Sequence, residues 1–242
     1  MNLTIYEYMM AALAVLAAAA IYSSGVSVLP HFAVIMAAAA LADFLINYFV
    51  FKERSVPKSA MITGLIIALI LAPSSALWAQ VAVPVLAIGS KHIIKRKNIN
   101  IFNPAGFALV AGGFVGALPS WWAASPLVWP LGLFISWKIR KLEISLSFLA
   151  AYFILFTLLG KIDPLMEAAG SAALFLAFFM ATEPKTTPSS RNGKVAFGIL
   201  LAIAALVIAV ILPAVDFLLA GLLICNLFKS HLNVLKIISL RK

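Results

Sequence analysis

Long apolar runs separated by short polar stretches dominate the chain. About 20 apolar residues cross the hydrocarbon core of a bilayer, and shorter runs form tilted, interfacial or half-spanning helices. The pattern therefore predicts an all-α polytopic membrane protein, with about ten transmembrane helices in a single domain over residues 1–242. The predicted segments cover approximately residues 9–24, 30–51, 60–73, 76–91, 104–118, 123–137, 144–160, 165–182, 195–212 and 214–228.

The composition supports a membrane protein. Hydrophobic residues make up 64% of the chain and the mean hydropathy is +1.10, whereas only 11% of residues are charged. An average soluble domain carries roughly 25% charged residues. So few polar groups cannot cover a water-exposed surface of this size, and the lipid bilayer is the first expected partner.

Basic residues predict the orientation. The chain has 18 Lys and Arg against 8 Asp and Glu. The basic residues form short clusters between apolar runs and not a basic face on a soluble fold, so nucleic acid is not an expected partner. Cytoplasmic loops are enriched in Lys and Arg, and with the N-terminus inside, every basic residue except Lys161 is cytoplasmic. We expect a multi-pass protein of the cell membrane with both termini in the cytoplasm.

Two proline-containing segment ends suggest an internal repeat. The third segment ends in Leu-Ala-Pro-Ser-Ser at 71–75, and the eighth is followed by Thr-Pro-Ser-Ser at 187–190. These segments are five apart and run in opposite directions, as the halves of an inverted repeat do. We predict two inverted five-helix repeats, about 1–118 and about 123–242.

The first polar motif occupies residues 98–106, with three asparagines followed by Pro104. Asparagine before proline is a favourable helix start, so Asn103 can be a helix cap and nothing more. Asn100 and Asn103 also place amide donors and acceptors beside a helix N-terminus, where an anionic or carbonyl-rich ligand is favoured. Both interpretations remain open at this point.

The second polar motif occupies residues 180–194 and is longer than a simple connector requires. It carries two prolines, several hydroxyl groups and one acid. It is either a solvated loop or part of a binding pocket. The candidate binding residues in it are Thr182, Glu183, Thr186 and Thr187.

Asp43 lies well inside the second segment, with Asn47 one helical turn later on the same face. An ionisable group at membrane depth suggests a functional site, here a site of transport. The pair can equally fix helix packing by hydrogen bonding. The sequence contains no phosphate-binding glycine loop, Cys/His metal cluster or catalytic triad.

These motifs together resemble the RnfD and NqrB membrane subunits of ion-translocating electron-transport complexes. The matching stretches are 59–73, 102–105 and 178–188, in the order and spacing of that family. The resemblance implies ten helices in two inverted repeats, similar to urea transporters, and a riboflavin or FMN cofactor. It also implies that Asn100 and Asn103 approach a non-covalently bound flavin, and that the subunit works with redox partners that use NAD or quinone.

One departure from that family concerns the flavin. Such subunits typically attach FMN to threonine in a Ser/Thr-Gly-Ala-Thr motif, and no such motif occurs here. The nearest string, Gly-Ser-Ala-Ala at 170–173, lacks the acceptor threonine. We therefore expect a reduced homologue without covalent FMN.

The leading hypothesis is a flavin-binding electron-transfer subunit, in which ion translocation can be coupled to the redox step. Electrons would come from other redox subunits or a soluble donor, because no NAD or iron–sulfur site is recognisable in the chain. The alternatives are a channel or transporter for a small solute or ion with the same inverted repeat, and a scaffold subunit without a cofactor.

Overall fold

A computed structural model describes residues 4–52, 57–96, 99–163, 166 and 172–234, and helices account for most of them. The first predicted residues of the eighth segment, Asn98 and residues 235–242 lie outside this description. The helices are α1 (Ile5–Ser24), α2 (Leu29–Ile46), α3 (Lys58–Ile70), α4 (Leu77–Ile93), α5 (Pro104–Gly113), α6 (Val128–Lys138), α7 (Leu142–Leu158), α8 (Ala172–Phe175), α9 (Arg191–Ile211), α10 (Phe217–Leu227) and α11 (Lys229–Asn233).

Three irregular helical turns extend two of these elements. A 3₁₀ turn, Val26–Val28, precedes α2, and π-helical turns continue α2 over Asn47–Phe51 and α8 over Leu176–Met180. Between α4 and α5 the chain forms a small antiparallel hairpin of β1 (Lys95–Arg96) and β2 (Ile99–Asn100). The prediction of an all-α protein is confirmed, apart from this hairpin.

Side-chain caps fix where four helices begin. At α1 the Thr4 side chain and Glu7 form a reciprocal capping box. Asn103, Ser190 and Asp216 each accept a hydrogen bond from a backbone N–H in the first turn of α5, α9 and α10, respectively. These side chains satisfy amides that the helix itself leaves unpaired.

Three helical stretches of the described chain are long and apolar enough to cross a membrane: Ile5–Ser24, Val26–Phe51 and Arg191–Ile211. Four further apolar helices, α3, α5, α7 and α10, are shorter. Helix is present in each of the ten predicted segments, but the ten-span topology stays a prediction because most of the helices are short of a full span.

The helix contacts recur in pairs. α1 packs on α3 as α6 packs on α8, α2 packs on α4 as α7 packs on α9, and α4 packs on α5 as α9 packs on α10. The two sets meet where α1 contacts α6 and α5 contacts α10. Within the second set, residues 173–180 of α8 and its π-turn are buried and belong to the hydrophobic core.

The bundle has two ends, which we name after the caps of α5 and α10. The Asn103 end also carries Asn226, near the end of α10, whereas the Asp216 end carries the start of that helix. Several basic side chains lie at the Asn103 end, where each contacts a residue from another part of the chain. These contacts are Lys58 with Glu7, Lys138 with the Tyr8 ring, Lys194 with Glu143, and Lys229 with the Lys185 carbonyl.

Candidate functional site: a cavity beside Asn103

Asn103 is a buried junction between α5 and the second half of the chain; its exposed fraction is 3%. Its Oδ1 accepts a hydrogen bond from Gly106 N at 2.9 Å, which caps α5. Its Nδ2 donates to the Met180 carbonyl at 3.3 Å, and its backbone N–H donates to Asn226 Oδ1 at 2.9 Å. The amide is therefore both a cap and a cross-link to the end of the α8 π-turn.

Side chains from other elements hold the loop that follows this π-turn, residues 181–190. Asn226 Nδ2 donates to the Thr186 carbonyl at 3.2 Å. Lys141, which is buried, donates to the Pro188 carbonyl, and Ser189 N donates to Asn233 Oδ1 at 2.7 Å. Burial lowers the pKa of Lys141 to about 8. The loop is thus a defined part of the fold and not a solvated connector.

A cavity of about 240 Å³ opens beside Asn103 and this loop. Its walls are mostly apolar and come from the start of α1, from α3, from the start of α5 and from the segment between Phe179 and Lys185. Its polar lining residues are Tyr6, Ser59, Thr63, Asn103, Glu183 and Lys185. The arrangement is typical of a small-molecule site, where a few polar groups orient a ligand between apolar walls.

Of the six candidate binding residues, Asn103 and Glu183 line this cavity. The three threonines are within the loop, and their hydroxyls bond to the loop or to the π-turn before it: Thr182 Oγ1 donates to the Phe178 carbonyl at 2.7 Å, and Thr187 Oγ1 to the Glu183 carbonyl at 2.7 Å. Asn100 lies in β2, paired with Lys95, and is not among the lining residues. The structure thus brings together the two motifs but gives their members different contacts.

Glu183 is partly buried and meets positive charge from three elements. Thr186 Oγ1 donates to its Oε2 at 3.3 Å. Burial raises the pKa of the Glu183 carboxyl to about 7, while Lys91 of α4, Lys185 of the loop and Lys229 of α11 act in the opposite direction. A carboxyl that changes charge near neutral pH therefore stands at the cavity wall.

Two contributors to the site were missed in the sequence. Asn226 is a buried amide at the end of the apolar run of α10, and a lone amide in that run was the available signal. Ser59 is held by Lys91 Nζ, which donates to its carbonyl at 2.9 Å and its Oγ at 3.1 Å. Only the folded structure reveals the contact between Lys91 and Ser59, because 32 positions separate the two residues in the chain.

Asp43 lies apart from the cavity lining. It is buried on α2, and Asn47 Nδ2 donates to its Oδ2 at 2.9 Å. This bond joins two turns of one helix, so it stabilises the irregular end of α2. A transport role for Asp43 stays a prediction.

Within the described ranges, no group of three or more His, Cys, Asp or Glu side chains is placed to hold a metal ion.

The model of the NQR2, RnfD, RnfE family matches residues 3–126 and 110–237. The chain is also 27% identical, over 215 residues, to a protein of Methanosarcina acetivorans that is named as a subunit of an ion-translocating oxidoreductase complex. That alignment covers 78% of this chain and 74% of the relative.

Proposed function

The chain belongs to the NQR2, RnfD, RnfE family, and we propose that it is a membrane subunit of an ion-translocating oxidoreductase complex that holds a flavin, without a covalent bond, in the cavity beside Asn103. The observation that carries the proposal is the meeting of Asn103 and Glu183 in one mostly apolar cavity.

The lining suits the ring system of a flavin. An isoalloxazine has an apolar dimethylbenzene side and a polar edge of carbonyl and N–H groups. Asn103 Nδ2 retains one N–H and Oδ1 one lone pair beyond the bonds they make in the fold. Apolar side chains such as Ile62, Ile66 and Phe179 offer the complementary walls. At about 240 Å³, the cavity is near the lower end of ligand sites, roughly 300–1,000 Å³, so it would take the ring and leave the ribityl chain at its mouth.

The flavin would supply the redox chemistry, and the chain would supply position, exclusion of water and hydrogen bonds that set the potential. Other subunits would supply the electrons, because the single cysteine, Cys225, is buried and cannot ligate an iron–sulfur cluster alone. The Methanosarcina relative is itself named as part of a complex.

We further propose two inverted five-helix repeats, as in urea transporters, with the Asn103 end in the cytoplasm. The paired helix contacts support the repeat, since the contacts of α1 with α3, α2 with α4 and α4 with α5 each have a counterpart among the next five helices. The gathering of basic side chains at the Asn103 end supports the orientation.

Absorption spectra of the purified protein, before and after incubation with riboflavin or FMN, test the flavin proposal. We expect flavin bands that remain with the protein on gel filtration and leave it on denaturation, so that a denaturing gel is dark under ultraviolet light. A fluorescent band on that gel would contradict non-covalent binding. A protein that never retains flavin would favour the transport function instead, with Asp43 as its first candidate residue.

A further inference from the structure

Lys91 places a positive charge behind the wall of the cavity beside Asn103. It lies in the last turn of α4, and its Nζ donates to the Ser59 carbonyl at 2.9 Å and to Ser59 Oγ at 3.1 Å. Ser59 lines the cavity, whereas Lys91 is not among the lining residues. The ammonium group is therefore in direct contact with one residue of the wall.

The charge on Lys91 is not neutralised by its hydrogen-bond partners. An ammonium group has three N–H donors, and Ser59 accepts from it with two uncharged oxygens. Lys91 belongs to none of the ion pairs found in the described part of the chain. Because Lys91 is also partly buried, its charge is screened less than that of a fully exposed lysine.

The same contact orients the Ser59 hydroxyl. Because Ser59 Oγ accepts from Lys91, its O–H remains available to donate to a group in the cavity. A hydroxyl that accepts from a cation is also a stronger donor, since hydrogen bonds in a chain polarise one another. Lys91 can therefore act on a ligand through the Ser59 hydroxyl as well as through its charge.

The charge of Lys91 also reaches Glu183, another residue of the lining. Lys91, Lys185 and Lys229 all favour the charged form of the Glu183 carboxyl, and Asp43 of α2 attracts Lys91. This group thus contains three lysines and two carboxylates. Since burial raises the pKa of Glu183 to about 7, its carboxyl is partly protonated at neutral pH, and positive charge is in excess beside the cavity.

An excess of positive charge distinguishes the two redox states of a flavin. The oxidised ring is neutral. When the ring gains two electrons from another redox subunit and one proton from water, one negative charge develops at its polar edge. A nearby cation binds this charged state more tightly than the neutral state, which raises the reduction potential.

We propose that Lys91 stabilises the reduced, negatively charged state of a flavin in the cavity beside Asn103, through its own charge and through the Ser59 hydroxyl. This inference rests on the proposed function. Lys91 is a positioning residue, because it contacts the lining residue Ser59 and is not itself in the lining.

The midpoint potential of the bound flavin tests the proposal. The full-length protein, purified in detergent and loaded with riboflavin, would be reduced stepwise with dithionite in the presence of indicator dyes of known potential. Lys91→Gln keeps a donor for Ser59 but removes the charge. We expect it to bind reduced riboflavin about tenfold less tightly relative to the oxidised form, which lowers the potential by about 30 mV for a two-electron couple.

Three variants separate the charge from other effects. Lys91→Arg keeps the charge and should retain most of the native potential. Lys138→Gln removes a lysine at the same end of the bundle that contacts the Tyr8 ring instead, and it should leave the potential unchanged. Ser59→Ala removes the hydroxyl but leaves the charge, so it should lower the potential by less than Lys91→Gln does.

A second readout needs no flavin. Lys91 favours the charged form of Glu183, so Lys91→Gln should raise the pKa of Glu183 in the flavin-free protein. The fall in the free energy of unfolding with rising pH should then extend to higher pH than in the native protein. An unchanged curve would show that the charge of Lys91 does not reach the cavity.

The failure of this inference differs from the failure of the proposed function. A native protein that retains no riboflavin would overturn both. If riboflavin is retained and folded Lys91→Gln has the native potential, this inference alone is overturned. A loss in Lys138→Gln or Ser59→Ala as large as that in Lys91→Gln would overturn it as well, because the charge of Lys91 would not be the cause.

Discussion

The backbone N–H of Asn103 donates a hydrogen bond to Oδ1 of Asn226 at 2.9 Å, across 123 positions of the chain. Asn226 also contacts the loop after the π-turn, because its Nδ2 donates to the Thr186 carbonyl. One amide therefore joins the start of α5, the end of α10 and the loop that carries Glu183. The shape of the candidate site depends on a residue that is not in the cavity lining.

Replacing Asn226 should accordingly disturb the site from a distance. Asn226→Leu leaves the Asn103 N–H and the Thr186 carbonyl without their partner, and each such buried group costs about 1–3 kcal/mol. We expect a lower free energy of unfolding and at least tenfold weaker flavin binding, measured by denaturation and by quenching of flavin fluorescence. Asn233→Ala, which removes an exposed contact to Ser189 of the same loop, should have the smaller effect on both.

Asn103→Leu should weaken flavin binding roughly ten- to a hundredfold, because it removes polar contacts worth about 1–3 kcal/mol. The loss of the cap adds about 1 kcal/mol of destabilisation whether or not a ligand binds. Asn103→Ser and Asn103→Asp separate the two effects, since both preserve a cap oxygen but neither can donate as the amide does. If either variant binds flavin as tightly as the native protein, Asn103 serves only as a cap.

The motif around Asn103 and the loop containing Glu183 could be predicted from sequence because each combines proline with polar residues at the end of an apolar run. The predicted orientation puts both motifs on the cytoplasmic side, which agrees with their contact in the structure. The inward use of the threonine hydroxyls could not be predicted, since it depends on π-helical and turn geometry after Phe178. Asn226 gave only the weak signal of a lone amide in an apolar helix.

Asp216 shows the same limit at the opposite end. Its position near the end of a predicted segment gives no sign of a distant partner. The structure instead pairs it with Trp121 across 95 positions, because the loop before α6 folds back onto the start of α10. Local pattern predicts the helices well, but a contact between distant segments depends on how those helices pack.

The pH dependence of stability should report on Glu183. Its pKa in the folded protein is about 7, above the ordinary value of 4.5, so between these values the folded state binds more protons than the unfolded state. The free energy of unfolding should therefore fall as pH rises from about 4.5 to about 7. Glu183→Gln should lose this component, which is measured as the difference between the two proteins at each pH.

Lys185→Gln tests the same titration of Glu183 by shifting its pKa instead of removing it. Lys185 favours the charged form of Glu183, so its removal should raise the pKa of Glu183 and extend the falling region to higher pH. If the free energy of unfolding of the native protein and of Glu183→Gln changed in parallel between pH 4.5 and about 7, the pKa of Glu183 would not be raised in the folded protein.

Gly132 is required where α6 crosses the buried π-turn. A Cβ at this position would overlap the Phe178 side chain, which is fully buried. Gly132→Ala should cost about 1–3 kcal/mol of unfolding free energy, because the crowded core must shift. Gly89→Ala should instead gain up to about 1 kcal/mol, since alanine favours helix and nothing lies near the new methyl group. Equal stability of the two variants would contradict close packing at Gly132.

The orientation of the bundle can be tested with single cysteines in a Cys225→Ala background. Ser74 and Ser120 are exposed at the Asp216 end, and Ser189 is exposed at the other end. Because basic connections stay in the cytoplasm, a membrane-impermeant maleimide should label Ser74→Cys and Ser120→Cys on intact cells. Ser189→Cys should react only after lysis.

Ser74 and Ser120 lie on either side of the contact between Leu71 and Pro119 and therefore at the same end of the bundle. Labelling at both positions is a check that one result does not come from a local block to the reagent. Labelling of Ser189→Cys from outside would invert the orientation and place the proposed flavin cavity on the outer face. Electrons would then have to arrive from outside the cell. The labelling pattern therefore decides which side of the membrane the redox partner must occupy.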